Sequence, residues 1–221
     1  MDAVALFPTP IFTFAGVGDP ELDRELAGRL VLESEHVPGI AGGGGGWCSV
    51  PDLTGRPEGC YQELLRHVVA RVEEAFVELA RVRGEALALR YRYAVQAWGR
   101  VMRHGHHALV HDHAEAHFSA TYYPDAGDAE LERHPDSGKL NFVDPRRGGA
   151  AVPGVDLFPS QFAIEPRTGL LVVFPGWLQH FAQPYRGGRP RVSISCNVRV
   201  EVDGVAVAPA PEPALPGPAA T

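Results

Sequence analysis

Cysteine is scarce in this sequence and badly spaced for a framework. Cys48, Cys60 and Cys196 are scattered, odd in number, and form no Cys-x-x-Cys pair. A disulfide scaffold and zinc-finger spacing are thereby excluded, and a reducing compartment fits. Lysine is scarcer still, with Lys139 alone against 19 arginines, a bias typical of a GC-rich genome. The arginines form no basic stripe and the net charge is -7, so nucleic acid is not an expected partner. No apolar run reaches about 18 residues, so no membrane span is expected. The opening "MDAVALFPTPIF" lacks the basic and long apolar regions of a signal peptide, and the expected location is the cytoplasm. The glycine-rich stretch "GIAGGGGGWCSVPDLTGRPEG" (39–59) has no following Gly-Lys-Ser/Thr, so it is not a P-loop. It reads as a mobile loop, with a lid over a site as the sharper alternative.

What is present suffices for a core, since 45% of the 221 residues are apolar. Asp19 and Pro20 form a helix-start signal, followed by Leu22, Leu26 and Leu30 at helical spacing. From Cys60 to Arg83, Leu64, Leu65, Val68, Val72, Ala75, Phe76 and Leu79 recur at threes and fours. After Arg90 the pattern changes to short strands between Pro, Gly and Asp clusters: "LRYRYAVQAW", "HFSATYYP", "GKLNFVD", "FAIEP", "GLLVVFP" and "RVSISCNVRVEV". The expectation is an α+β chain built on a β-sandwich or barrel. One domain over 1–207 is expected, helical to about 90 and β from about 91, with a Pro/Ala-rich tail at 208–221 expected to be disordered.

Chemistry concentrates in "HGHHALVHDHAEAH" (104–117), which holds six of the ten histidines. In a strand, residues i and i+2 face one side about 7 Å apart, so His111 and His113 would present two imidazoles together. A third ligand is offered by His180, after a strand and a Pro-Gly turn. Arg191 follows eleven residues later and opens another strand. A metal with such ligands and a nearby arginine can hold a dicarboxylate, the metal at one end and the guanidinium at the other.

These residues resemble a known family. "LFPTPIF" (6–12), "GGWCSVPDL" (45–53), Trp98 with Gly105 and His111, "HDHAEAHFSATYY" (111–123), "GKLNFVDPR" (138–146), "GLLVVFPGWLQH" (169–180) and "RVSISCNV" (191–198) occur in register. In this they are similar to a bacterial group of iron(II)- and 2-oxoglutarate-dependent oxygenases. The resemblance covers roughly residues 5–200. It implies a double-stranded β-helix, a jelly roll of cupin-like form, with flanking N-terminal helices. It implies Fe(II), 2-oxoglutarate and O2 as cofactor and cosubstrates, and hydroxylation with release of succinate and CO2. His111 and His180 match ligand positions, and Arg191 matches the residue that pairs with the far carboxylate of 2-oxoglutarate. Tyr123 and Ser119 match positions that can bond the cosubstrate, and Asn141 and Asn197 are polar residues on core strands. Trp98, His106, His117 and Arg146 are candidates for the substrate pocket.

The superfamily usually carries His-x-Asp, two histidines and a carboxylate, whereas position 113 here is His. Three readings stay open. The metal is held by His111, His113 and His180; or Glu115 supplies a carboxylate from the same strand face; or Asp112 reaches it through a bulge or there is no productive iron site. Charge favours the first, because three neutral imidazoles, Fe²⁺ and dianionic 2-oxoglutarate sum to zero. A small-molecule substrate, either a metabolite or an amino acid, is expected, and a homodimer would be unsurprising. Two rival classes remain: a cupin-like three-His metalloenzyme that does not use 2-oxoglutarate, and a non-catalytic protein that buffers metal on its histidine tract.

Overall fold

The computed structural model describes residues 7–40, 43–85, 87–146, 153–155 and 159–203. The tail at 208–221 and the end of the expected domain, 204–207, lie outside the described residues. In chain order the elements are β1 (Phe12–Phe14), α1 (Pro20–His36), β2 (Trp47–Cys48), a 3-10 turn (Leu53–Gly55), α2 (Gly59–Arg83), β3 (Tyr91–Met102), β4 (Ala108–His111), β5 (Phe118–Asp125), β6 (Leu140–Val143), β7 (Gln161–Ile164), β8 (Leu170–Pro175), β9 (His180–Ala182) and β10 (Arg191–Val202).

Helix α1 starts where its sequence signal stands. The Asp19 carboxylate accepts from the amides of Glu21 and Leu22 at 2.9 and 2.8 Å, satisfying two donors that a helix start leaves free. Helix α2 stops at Gly84, whose φ of 72° is the left-handed conformation that glycine adopts without strain. The buried stripes, Leu22, Leu26 and Leu30 on α1 and Leu64, Val68 and Val72 on α2, meet one face of the larger sheet. Among the described residues no helix is long and apolar enough to cross a membrane.

Two antiparallel sheets carry the fold. The larger has the order β1-β8-β5-β10-β3-β2 and the smaller β4-β9-β6-β7. From β3 onward the chain passes back and forth between them: β3, β5, β8 and β10 fall in one, and β4, β6, β7 and β9 in the other. That alternation is the double-stranded β-helix, a jelly roll with helices on the outside of one sheet.

Strand parity then divides each long strand into two roles. On β10, Val192, Ile194, Cys196 and Val198 pack with the helices. Arg191, Ser193 and Asn197 alternate with them and are buried on the inner face. On β5, Phe118, Ala120 and Tyr122 go to the helices, and Ser119, Thr121 and Tyr123 go inward. The inner face also holds an apolar floor of Tyr123, Leu140, Phe142, Val172, Phe174 and Leu178. Helix α1 is tied to the sheet by Tyr122, whose hydroxyl donates to Asp23 and accepts from the Gly18 amide at 3.1 Å.

Candidate metal and cosubstrate site

The three histidines converge where β4 and β9 pair. His111 ends β4, His180 opens β9, and the two are direct cross-strand partners. Their ring centroids are 4.3 Å apart, and His113 lies 5.0 Å from His111 and 5.3 Å from His180. One ring nitrogen from each falls within 4.8 Å of the others, and no further Cys, Asp or Glu among the described residues joins this group.

Backbone carbonyls set two of the tautomers. His111 Nδ1 lies 2.7 Å from Leu109 O, and His180 Nδ1 lies 2.9 Å from Leu178 O. A carbonyl only accepts, so each Nδ1 carries the proton and each Nε2 keeps its lone pair for a metal. Burial holds His180 in the neutral form, with its pKa pushed down to about 3. Burial, then His111, lowers His113 as well. Both are ready ligands at neutral pH, since only neutral imidazole coordinates.

Two expectations about this segment need correction. The strand ends at His111, so His113 does not share a strand face with it. His113 is placed instead by its amide, which donates to Gly176 O at 2.8 Å, and by a turn in which Ala116 N donates to His113 O at 2.9 Å. The same turn puts Glu115 on the exposed surface, outside the group of three. Asp112 is likewise exposed and outside it.

Arg191 stands on the inner face of the large sheet, 3% exposed. Its Nη1 donates to Met102 Sδ at 2.8 Å, and its Cζ lies 4.9 Å from the centre of the Tyr123 ring. Among the described residues, Arg191 Nε and the Tyr123 hydroxyl are both buried without a hydrogen-bond partner. Burial raises the Tyr123 phenol, and Arg191 beside it acts the other way. Buried polar atoms left free cost about 1–3 kcal/mol each, and a cation among them is satisfied best by a carboxylate. Between Arg191 and the histidines the inner face is polar: Ser193, Thr121, Asn197 and Ser119, whose hydroxyl lies 3.4 Å from Asn197 Oδ1. The donor set therefore fits an iron(II) ion at the histidines and a dicarboxylate reaching Arg191.

The other candidates disperse. Trp98 is beside the centre, its ring 5.4 Å from His113. Asn141 is not. It sits between the pairs Phe142–His180 and Leu140–Ala182, so parity turns it to the opposite face of the small sheet from His180; its amide donates to Lys139 O at 3.2 Å. His117 accepts from the Val200 amide at 2.9 Å and lines a separate cavity with Phe76, Leu79 and Trp177. His106 accepts from the Arg103 amide at 3.0 Å and packs on Gly45 and Gly46. Arg146 pairs with Asp144 through two nitrogens, at 2.9 and 2.7 Å, on the surface.

The glycine run also has a definite place. Arg100 Nη2 donates to Gly43 O, Gly45 O and His107 O at 3.0, 3.1 and 2.6 Å. At Gly44, φ is 76° and a Cβ would stand 2.6 Å from His107 O, so only glycine lets these backbones meet. Residues 43–46 are thus fixed against the turn that leads into β4. Met102, Ser193 and Thr121 join the inner face without having stood out in the sequence. For Ser193 the signal is the alternation in "RVSISCNV", apolar outward and polar inward.

A family described as "Putative 2OG-Fe(II) oxygenase" matches residues 96–197. No curated protein matches the sequence. Among solved structures, a Pseudomonas putida prolyl-4-hydroxylase is 21% identical, with a TM-score of 0.56 over 86% of this chain and 92% of that one. The epimerase SnoN from nogalamycin biosynthesis is 15% identical, with a TM-score of 0.58 over 92% and 89%. HygX from Streptomyces hygroscopicus, with nickel, 2-oxoglutarate and hygromycin B bound, is 12% identical, with a TM-score of 0.59 over 86% and 83%. At such identities the likeness speaks for the fold, while the family match spans His111, His113, His180 and Arg191. Residues 96–197 are thus similar to the non-haem iron(II)- and 2-oxoglutarate-dependent oxygenases, and the three histidines and Arg191 within them fit Fe(II) and 2-oxoglutarate.

Proposed function

We propose that this oxygenase hydroxylates an unactivated carbon of a small metabolite or amino acid, releasing succinate and CO2. The observation that carries the cosubstrate half is the buried guanidinium of Arg191 beside the Tyr123 hydroxyl, which among the described residues meet no carboxylate. Iron bound at the three imidazoles supplies the oxidising chemistry. The chain's own residues do the rest. His111, His113 and His180 hold the ion as neutral ligands, and the Leu109 and Leu178 carbonyls fix two of the rings. Arg191 and Tyr123 take the far carboxylate of the 2-oxo diacid. Ser119, Thr121, Ser193 and Asn197 line the path between the two ends. Trp98 walls the side at His113 and helps exclude water from the reacting carbon.

The solved relatives include one bound to hygromycin B and another bound to nogalamycin RO, so this fold accommodates such molecules. It also serves prolyl hydroxylases, and a peptide substrate is the competing outcome. In this reading the protein works in the cytoplasm, alone or as a homodimer, without nucleic acid or membrane.

The test begins anaerobically. Fe(II) plus 2-oxoglutarate should give a weak visible charge-transfer band, and admission of O2 should then yield succinate. Folded, iron-loaded protein that gives neither result is not using 2-oxoglutarate. A screen of metabolites and prolyl peptides for faster succinate formation then separates the substrate classes.

A further inference from the structure

The Arg191 guanidinium meets the Met102 thioether at Nη1, and the Tyr123 phenol stands beside it. Met102 closes β3, Arg191 opens β10, and the two are direct cross-strand partners. Met102 is 0% exposed. Its thioether is a weak, uncharged acceptor. This close contact therefore packs against the guanidinium without neutralising it. The Tyr123 ring covers a second side. Gly138 packs along the side chain below the guanidinium, where a Cβ would stand 3.5 Å from Arg191 Cδ. The guanidinium is held on two sides, and among the described residues Nε has no partner. Behind Met102 lie Ala108, Ala182 and Tyr185, all buried. Two of these are alanines with a single methyl each, so Met102 is the long flexible side chain of this cluster.

We propose that Met102 is the residue that selects the length of the 2-oxo diacid, by fixing how far the Arg191 guanidinium stands from the three histidines. The inference rests on the proposed function above and names a determinant of its cosubstrate. A diacid must place its 2-oxo acid end at the histidines and its far carboxylate at Arg191. A guanidinium held in one position accepts one chain length. The discrimination at stake is a single methylene, which a well-packed pocket separates by roughly 10- to 200-fold. Removing the sulfur and its methyl opens space beside Nη1. Arg191 can then swing back toward Ala108 and Ala182 and admit a longer acid.

The experiment uses the full chain loaded with Ni(II), which is redox-inert here and which HygX carries together with 2-oxoglutarate. Calorimetric titration with 2-oxoglutarate and with 2-oxoadipate gives both dissociation constants without turnover. The wild type should prefer 2-oxoglutarate by at least ~10-fold. Met102→Ala should reduce that ratio by ~10-fold or more, through tighter binding of 2-oxoadipate. Met102→Leu keeps the volume and so tests the fold. It should retain the length preference and weaken both acids together by ~3- to 10-fold, the share of one lost hydrogen bond. Wild-type selectivity in Met102→Ala overturns the proposal. Should that variant fail to fold, wild-type affinity for both acids in Met102→Leu overturns it instead. A wild type that takes up Ni(II) but binds neither acid refutes the 2-oxo acid reading itself, a different result from either.

Discussion

Removing His113 and removing Glu115 should have very different effects on metal affinity, and the structure sets the size of the difference. His113 contributes one of three ring nitrogens within 4.8 Å of one another. Even the residues that only orient a metal ligand are worth 10- to 100-fold in affinity. Loss of a ligand should therefore exceed ~100-fold, or about 2.7 kcal/mol. Glu115 sits in an exposed turn outside the group of three and acts on His113 by its charge. Its charge acts only through solvent. Through water an exposed carboxylate near a divalent ion contributes on the order of 1 kcal/mol, a factor of about five, and added salt screens it further. An anaerobic titration with Fe(II), against a competing chelator of known affinity, measures both variants. His113→Ala should fall by two orders of magnitude with a normal melting curve. Glu115→Ala should fall by less than one order, and the remainder should vanish at high salt. Were Glu115→Ala the weaker binder of the two, the three-histidine centre would be wrong and the carboxylate reading would replace it.

Arg191→Ala should weaken 2-oxoglutarate by ~30-fold or more in the Ni(II)-loaded protein, because a buried guanidinium–carboxylate pair costs 2–5 kcal/mol to break; metal affinity should not move. Asn141→Ala should leave the same titration unchanged, since Asn141 faces away from His180. Tyr122→Phe should destabilise the fold by about 1–3 kcal/mol in urea, because the buried Asp23 carboxyl loses its hydroxyl donor. Burial holds the Asp23 pKa above its ordinary 3.8, so above pH 3.8 the folded chain keeps a proton that the unfolded chain has released. Across that window the contribution of Asp23 to stability falls as pH rises, and Asp23→Asn should remove the slope from a series of urea midpoints.

Long periodic elements are legible in the amino-acid sequence. Helix α2 runs over Gly59–Arg83 against an expected Cys60–Arg83, and β10 spans the whole of "RVSISCNVRVEV". Burial imposes period 3.6 or period 2 on such segments, and the pattern survives in the order of apolar and polar residues. Ligands arriving from short elements are half legible. His180 opens a three-residue strand and His111 closes one of four residues. Neither strand is long enough to show a period. The face on which Asn141 lies, and the point where β4 stops, are decided by pairing with β9. No local signal records that pairing. Arg100 binding the glycine run, across more than 50 residues of chain, is tertiary in the same sense.

The division of labour between the sheets explains why the site is scattered along the chain. His111 and His180 come from the paired strands β4 and β9 of the small sheet, and His113 from the turn just after β4. Arg191, Tyr123, Met102 and the polar lining come from β10, β5 and β3 of the large sheet. Neither sheet alone makes both ends of a diacid pocket. They face each other through the floor formed by Phe142, Phe174 and Leu178, where the Phe142 and Phe174 rings stand 4.9 Å apart and the Phe174 ring lies 4.8 Å from His180. Truncating Phe174 to Ala should cost about 3–5 kcal/mol and loosen the register between the two sheets. Metal affinity and 2-oxoglutarate affinity should then decline together, unlike the separate losses expected for His113→Ala and Arg191→Ala. A Phe174→Leu variant that bound the ion normally and lost only the acid would show that the small sheet holds its histidines without help from the large one.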